Sequence, residues 1–206
     1  MPGCPASSSV PRFISANSVL KRRSVRSRKL RRKTKETTID VALEIDGRGT
    51  YDVAVRKQFT RHMVETLARY AGWNLRLRAT GDNRHHIEED LAIVLGRAFR
   101  EALGDAPVER MAHAVVPMDD ALVMAAVDIV DRPYCDAPVP DLDYVHFFRS
   151  FAMDARINLH IDILRGRDEH HIVEAAFKAL GIALRLASRP TGALKSTKAR
   201  VEWTKE

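Results

Sequence analysis

Apolar and polar residues alternate along several segments of the chain, and this period of two predicts half-buried β-strands. Elsewhere apolar residues recur every three to four positions, which predicts amphipathic α-helices. In the first half the patterns follow one another as strand 39–45, strand 51–55, helix 59–71, strand 75–77 and helix 91–104. The Asp46-Gly47 pair between the first two strands is a turn signal that predicts a β-hairpin.

The second half repeats this order of elements. Its patterns are strand 112–116, strand 121–130, helix 143–153, strand 157–163 and helix 172–183. Strands followed by a helix, twice over, predict an α+β protein of two duplicated halves, each a β-sheet backed by α-helices. We expect the first half at 31–110 and the second at 111–206, after a tail of residues 1–30.

The repeat is sharper in polar residues than in apolar ones. His85-His86-Ile87-Glu88-Glu89 and His170-His171-Ile172-Val173-Glu174 share the pattern His-His-x-x-Glu, 85 residues apart. On a helix the last glutamate of each copy lies beside both histidines, and imidazole with carboxylate suits a divalent transition metal. One copy would be a weak signal, but two at corresponding places favour a metal site. Glu88 lies off that face, so its change to Gln is expected to be nearly silent.

Two further histidines lie on predicted elements. His160 shares a strand face with polar neighbours, opposite the apolar residues of that strand, and His62 lies on the first predicted helix. A lone histidine of this kind is more often a hydrogen-bonded structural residue than a ligand. Six histidines and two glutamates together could nevertheless hold two metals with open positions for a substrate. The remaining histidines, His113 and His146, have no such partners.

The net charge of +7 is unevenly distributed. Residues 1–35 hold eleven Lys or Arg and no acid, so the rest, with 23 basic and 27 acidic side chains, sums to −4. The tail of residues 1–30 is rich in Ser, Pro and Arg and lacks an apolar stripe, which predicts disorder. Such a tail is typical either of an organelle transit peptide or of a solvated bacterial extension, and we favour the extension and a cytoplasmic protein.

Composition excludes some classes of protein. No apolar run approaches the ~20 residues that span a bilayer, so no membrane partner is expected. The only cysteines are Cys4 and Cys135, which argues against a disulfide framework and for a reducing compartment. A basic tail on a mildly acidic body is weak support for nucleic-acid binding.

A series of short motifs runs in order over about residues 32–200. In chain order they are Arg32-Lys33-Thr34-Lys35-Glu36-Thr37, Phe59-Thr60-Arg61-His62-Met63, His85-His86 with Glu89, Pro117-Met118-Asp119-Asp120-Ala121-Leu122, Asp131-Arg132-Pro133, His170-His171 with Glu174-Ala175 and Phe177-Lys178-Ala179, and Ser196-Thr197-Lys198. In sequence and order these motifs resemble those of the imidazoleglycerol-phosphate dehydratase family.

The resemblance implies removal of water from imidazoleglycerol phosphate, giving imidazoleacetol phosphate in histidine biosynthesis. It implies a homo-oligomer of 24 subunits with sites between subunits, each holding two manganese ions. The implied metal ligands are His62, His85, His86, Glu89, His160, His170, His171 and Glu174. The implied phosphate-binding residues are Arg110, Arg132, Ser196 and Lys198, a set that suits a phosphate monoester. General acid–base candidates are Glu174, Glu36 and Asp119, which the sequence does not rank.

Four positions depart from the family's usual pattern without removing an implied ligand. They are Arg61, Thr66, Tyr70 and Arg84. Changes around metal ligands can alter affinity or activity ~10–100-fold, so a metal-holding oligomer without dehydratase activity remains an alternative. A nucleic-acid-binding protein that uses the basic tail is the other alternative.

Overall fold

The computed structural model describes residues 25–193 of the chain. Within this range the elements are β1 (Ser27–Lys33), β2 (Thr37–Glu44), β3 (Tyr51–Ala54), α1 (Gln58–Ala71), β4 (Asn74–Gly81), α2 (Arg84–Leu103), β5 (Met111–Met118), β6 (Ala121–Ile129), β7 (Tyr134–Asp136), α3 (Leu142–Ala155), β8 (Ile157–Arg165) and α4 (Glu169–Ala187).

The two halves have the same sheet topology. The first sheet has the strand order β1-β2-β4-β3 and the second has the order β5-β6-β8-β7. In each sheet the last edge strand is parallel to its neighbour and the other pairs are antiparallel. The prediction of an α+β protein with two duplicated halves is therefore confirmed.

The helices of the two halves pack on each other between the sheets. Helix α2 packs on the first sheet and against α3, and α4 packs on the second sheet and against α1. Glycines allow both close approaches: a Cβ on Gly96 would lie 2.5 Å from the carbonyl oxygen of Phe151, and one on Gly181 would lie 3.0 Å from that of Leu67. Gly96 and Gly181 are 85 residues apart, as are the two His-His-x-x-Glu copies. The two helix crossings therefore correspond to each other in the duplicated halves.

The predicted hairpin between β2 and β3 is wrong. Strand β4 lies between β2 and β3. After the turn at 46–47 the chain therefore passes the start of β4, and β3 does not pair with β2. The side chain of Asn74, the first residue of β4, holds this connection: its Oδ1 accepts from the backbone N–H of Arg48 at 2.9 Å and from Thr50 Oγ1 at 2.7 Å. A local turn signal does not reveal a strand that inserts later in the chain.

The ordered fold begins earlier than residue 31, because β1 starts at Ser27. Hydrophobic periodicity misses this strand since most of its side chains are exposed and basic. Backbone pairing with β2 forms it. Ion pairs hold it on both faces, from Arg28 to Glu101 of α2 and from Arg31 to Asp40 of β2, both at 2.6 Å. The rest of the tail prediction falls on residues 1–24, outside the described range.

Short strand β7 is also absent from the sequence prediction, because three residues do not establish a period. Within residues 25–193, no helix is long and apolar enough to cross a membrane.

Candidate metal and substrate site

Each histidine pair lies in the first turn of a helix. Asn83 caps α2 by accepting a hydrogen bond from the backbone N–H of His86 at 3.1 Å. Asp168 caps α4 by accepting from the backbone N–H groups of His170 and His171 at 2.8 and 3.2 Å. Caps of this kind fix the first turn, so the imidazoles project from a set position beyond the ends of strands β4 and β8.

One group of predicted ligands joins the two halves. His62 on α1 and His170 on α4 bring their Nε2 atoms to 3.4 and 3.2 Å from Oε2 of Glu174. Glu174 is only 6% exposed, and its Oε1 accepts from Lys178 Nζ at 2.9 Å. Burial raises the pKa of Glu174, but the hydrogen bond from Lys178 and the neighbouring positive charge outweigh it and hold the pKa below its ordinary value. A carboxylate kept ionised beside two imidazole nitrogens fits a divalent metal.

A related group surrounds the first motif. His85 Nε2 lies 3.9 Å from Oε2 of Glu89, and His85 Nδ1 lies 3.6 Å from Oδ1 of Asp143 at the start of α3. The ring of His146, also on α3, lies 5.3 Å from that of His85. His146 therefore has a site partner, contrary to the sequence expectation. It occupies the place on α3 that His62 occupies on α1, since each is the fifth residue of its helix.

His86 belongs to a third group. Its Nδ1 lies 3.1 Å from Oδ1 of Asp82 and 3.7 Å from Oε2 of Glu36. Among the residues that the structure describes, these three form the one cluster whose potential ligand atoms all lie within 4.8 Å of one another. The hydrogen bond to Asp82 raises the pKa of His86.

His171 is the second histidine of the other motif, and two aspartates face it. Its Nδ1 lies 2.8 Å from Oδ1 of Asp120, and its Nε2 lies 3.2 Å from Oδ2 of Asp119. The hydrogen bond with His171 lowers the pKa of Asp120 to about 2, and the same bond raises the pKa of His171. Asp119 has a left-handed backbone, with φ of 48°. This conformation is the one that a two-residue hairpin turn requires at its first position, because Met118 and Ala121 on either side are paired.

His160 lies on the outer face of the second sheet, as its strand pattern predicts. Its ring packs 5.2 Å from that of Tyr134 rather than against another predicted ligand. A groove of about 350 Å³ runs over this face and is lined by His160, His113 and residues of β5, β6 and β8. The eight predicted ligands thus fall into separate groups within one chain.

The two phosphate-binding candidates within the described range lie at one end of this groove. Arg110, with φ of 72°, makes a two-point ion pair with Asp128, from Nε to Oδ1 at 2.6 Å and from the second guanidinium nitrogen at 2.9 Å. The carbonyl of Arg132 accepts a hydrogen bond from Asn158, which is the cross-strand partner of Asp128. The other two candidates, Ser196 and Lys198, lie outside the described residues.

The unusual residues on α1 differ in their surroundings. Arg61 lies on the surface, 3.9 Å from Glu65, and the ring of Tyr70 lies 5.8 Å from Lys178 Nζ. Thr66 is buried, with 6% of its surface exposed.

The structure corrects the sequence prediction for Glu88. It is 2% exposed, its Oε1 accepts from Thr60 Oγ1 at 2.6 Å, and it lies 3.0 Å from Lys57 Nζ. It is therefore not a solvated control for Glu89. The face of α2 that turns away from the candidate metal-binding side faces α1 and α3. Sequence periodicity alone does not show whether such a helical face is buried against other helices or exposed to solvent.

Comparison with known proteins identifies the family. A model of imidazoleglycerol-phosphate dehydratase matches residues 55–184. The imidazoleglycerol-phosphate dehydratase of Desulforudis audaxviator is 44% identical over 179 residues, covering 80% of this chain and 91% of that protein. That of a Roseiflexus species is also 44% identical over 196 residues, covering 85% and 97%.

Solved structures agree with these relatives. The crystal structure of the Pyrococcus furiosus enzyme in complex with (S)-C348 superimposes with a TM-score of 0.73 at 38% identity, and covers 84% of this chain and all of that one. The duplicated sheets, the paired His-His-x-x-Glu motifs and the matches over most of the chain agree, and the chain belongs to the imidazoleglycerol-phosphate dehydratase family.

Proposed function

We propose that this chain removes water from imidazoleglycerol phosphate to give imidazoleacetol phosphate, as a carbon–oxygen lyase of histidine biosynthesis. The observation that carries the proposal is the group of His62, His170 and Glu174, in which α1 and α4 bring two imidazoles to one buried carboxylate. Relatives with that name, matched over 91% and 97% of their own length, support the substrate class, a small phosphate ester.

The donor atoms suit two divalent ions, for which we propose manganese. The residues that would hold them are His62, His85, His86, Glu89, His160, His170, His171 and Glu174. When bound, such ions would act as Lewis acids that let the imidazole ring of the substrate accept charge as the neighbouring C–H and C–OH bonds break. Lys178 would keep Glu174 ionised and so available as a ligand, since it already donates to the other carboxylate oxygen at 2.9 Å.

Proton transfer is then the task of more exposed carboxylates. Glu174 is engaged by Lys178 and by two histidines, so we assign it to metal binding rather than to acid–base work. Glu36 and Asp119 are 56% and 66% exposed at the side chain and each faces one of the motif histidines. They are the groups that could reach the carbon-bound hydrogen and the departing hydroxyl of a substrate at this end of the helices.

Arg110, Arg132, Ser196 and Lys198 would hold the phosphate. Arg110 is already oriented by its two-point contact with Asp128, so a guanidinium held in this way would lose little further side-chain freedom on binding a phosphate.

We further propose that the active assembly is a homo-oligomer of 24 subunits with sites shared between copies. His160 is separated from the motif histidines within one chain, so a complete ligand set requires a second copy. The outer face of the second sheet also exposes apolar side chains, among them Met111 at 60%, Val115 at 47% and Leu164 at 49%. A sheet face with exposed apolar side chains of this kind is suited to burial against another subunit.

Turnover and metal content, measured on one preparation, test the proposal. The full-length protein should dehydrate imidazoleglycerol phosphate in the presence of manganese, and Glu174→Gln should lose bound manganese by elemental analysis together with most of the turnover. Glu169→Gln is the matched control, because Glu169 is exposed in the same first turn of α4. A protein that keeps manganese but never turns over substrate would instead support the inactive oligomer, and equal behaviour of the two variants would remove Glu174 from the ligand set.

A further inference from the structure

The second histidine of each motif has an aspartate against its Nδ1 atom, and neither aspartate belongs to the motif. In the second half Asp120 Oδ1 lies 2.8 Å from His171 Nδ1, and in the first half Asp82 Oδ1 lies 3.1 Å from His86 Nδ1. The first histidines, His85 and His170, lie close to the glutamate of their own motif through Nε2, and the aspartate nearest to His85 Nδ1, Asp143, is farther away at 3.6 Å.

The two aspartates reach this position from different parts of the fold. Asp120 immediately precedes β6, whereas Asp82 immediately follows β4. The residue that immediately precedes β2, and so corresponds to Asp120, is Glu36, which stays farther from His86 Nδ1 at 3.7 Å. The same contact has therefore been built twice from unrelated segments, which argues against chance proximity of surface groups.

Both carboxylates are themselves held in place. Asp120 Oδ2 accepts from the backbone N–H groups of Arg167 and Asp168 at 2.7 and 3.3 Å, which leaves Oδ1 for His171. Asp82 Oδ1 accepts from the backbone N–H of Asn83 at 2.6 Å. The amide nitrogen of Asn83, which can only donate, also lies 3.0 Å from His86 Nδ1 and competes with Asp82 for the role of that atom, so the carboxylate contact is weaker evidence in the first half than in the second.

A carboxylate at Nδ1 has a defined effect on a metal-binding imidazole. When Nδ1–H donates to the carboxylate, the lone pair lies on Nε2, the ring is oriented and the basicity of Nε2 rises. We propose that Asp120 and Asp82 are positioning residues that hold His171 and His86 in the tautomer whose Nε2 binds the metal. The proposal rests on the assignment of His171 and His86 as ligands under the proposed function, and it leaves Glu36 and Asp119 for the substrate.

The test compares the manganese affinity of full-length variants by competition with a chelator. Asp120→Asn keeps an oxygen that can accept from Nδ1–H but loses the charge, whereas Asp120→Ala loses both. We expect Asp120→Asn to weaken manganese binding about 10-fold and Asp120→Ala to weaken it by close to 100-fold. The Asp82 variants should rank in the same order, with smaller losses of affinity. Glu169→Gln, which removes a charge from the same helix end without touching a histidine ring, should keep wild-type affinity.

A second measurement separates positioning from a merely structural role. The ¹⁵N shifts of labelled histidine report which ring nitrogen carries the proton, and the Nδ1–H signal of His171 should diminish in Asp120→Ala while the melting temperature without added metal stays close to that of Glu169→Gln. Wild-type affinity and an unchanged tautomer in Asp120→Ala would overturn the inference.

His171→Asn distinguishes this failure from failure of the proposed function. If His171→Asn binds manganese as tightly as the wild type, the ligand assignment itself is wrong. If His171→Asn loses manganese while the Asp120 variants keep it, the ligand assignment stands and only the positioning role is rejected.

Discussion

Lys57 Nζ lies 3.0 Å from Oε1 of Glu88, a carboxylate that is 2% exposed beneath the first histidine pair. The duplicated half has no such pair, because the residue corresponding to Glu88 is the buried Val173. Around this ion pair, Thr60 Oγ1 donates to Glu88 and lies 3.0 Å from the hydroxyl of Tyr144. A polar network has thus been placed in one half where the other uses an aliphatic side chain.

Removing one partner of this ion pair should destabilise the fold more than removing both. Lys57→Met should lower the free energy of unfolding by about 2–3 kcal/mol, because it removes a cation from beside a buried carboxylate, although partial exposure of Lys57 moderates the loss. Adding Glu88→Val, which copies Val173, should restore most of the stability. Denaturant unfolding of the two variants checks this, and a double variant less stable than Lys57→Met would show that Glu88 has a further role.

Residue patterns predicted most of this fold because its buried strands and helices are regular. Strand β2 buries Ile39, Val41 and Leu43 on one face, and the corresponding strand β6 does the same with its own apolar residues. The patterns failed where pairing rather than burial determines the element. Basic strand β1 is held by backbone hydrogen bonds to β2. The connection through Asp46-Gly47 passes β4, and no local sequence signal reveals that β4 lies between β2 and β3.

Residues of the candidate site were predictable to a similar extent. Repetition and resemblance selected His62, His170 and Glu174, which the structure brings together. His146 was missed although a signal existed, since it precedes its motif by 24 residues, much as His62 precedes the first motif by 23. Asp82 had no such signal, because its contact with His86 depends on how strand β4 ends against helix α2 and on no repeated spacing.

The phosphate-binding role proposed for Arg110 predicts a loss of substrate affinity without a loss of metal. Arg110→Ala should weaken binding of the substrate ~10–150-fold, the range expected for a charge-assisted contact of about 1.5–3 kcal/mol. Steady-state kinetics and elemental analysis on the same preparation check this. Arg28→Ala is the control, since it removes a comparable surface ion pair, with Glu101, on the opposite sheet. Loss of manganese in Arg110→Ala would place this arginine in the support of the metal site instead.

The proposed sharing of sites between copies predicts complementation between inactive variants. His160→Ala and His85→Ala should each be inactive, but an oligomer assembled from both should regain part of the activity if the two residues of one site come from different copies. The measurement is turnover after the two variants are unfolded, mixed and refolded together, compared with each refolded alone. A mixture no more active than its components would indicate that each site is built within one chain.

The two helix crossings differ in how closely the backbones approach. Gly96→Ala should destabilise the protein more than Gly181→Ala, because its Cβ would lie 2.5 Å from the Phe151 carbonyl oxygen, whereas a Cβ on Gly181 would meet its neighbours, Tyr70 Cβ among them, at 2.9–3.0 Å. Overpacking of this kind costs about 1–3 kcal/mol, and Gly96→Ala should lie at the upper end. Thermal unfolding of both variants measures the difference. Equal melting temperatures would show that the α2–α3 crossing can open without cost.

Acid should loosen the edge strand of the first sheet. Hydrogen bonds from Arg97 and Arg28 lower the pKa of Glu101 below its ordinary value of 4.5. A lowered pKa in the folded state means that the contribution to stability is present above about pH 4.5 and is lost as the pH falls through the lowered value. Glu101→Gln should therefore make the free energy of unfolding depend less on pH below about pH 4.5. Its pH dependence between pH 5 and 8 should be unchanged. An unaltered slope below pH 4.5 would show that the contact does not survive in solution.

The helix crossings at Gly96 and Gly181 also govern how the chain could be divided. Each half has a sheet with one face covered by its own helices, but the far side of those helices is buried only by the helices of the other half. A chain cut in the loop at 104–110 would yield two fragments that each leave an apolar helical layer open to water. We expect neither fragment to remain soluble when produced alone, and the two to recover a common core when produced in the same cell. An ancestor with a single half would have faced the same exposed layer, and pairing of two identical copies would have covered it before duplication joined them in one chain.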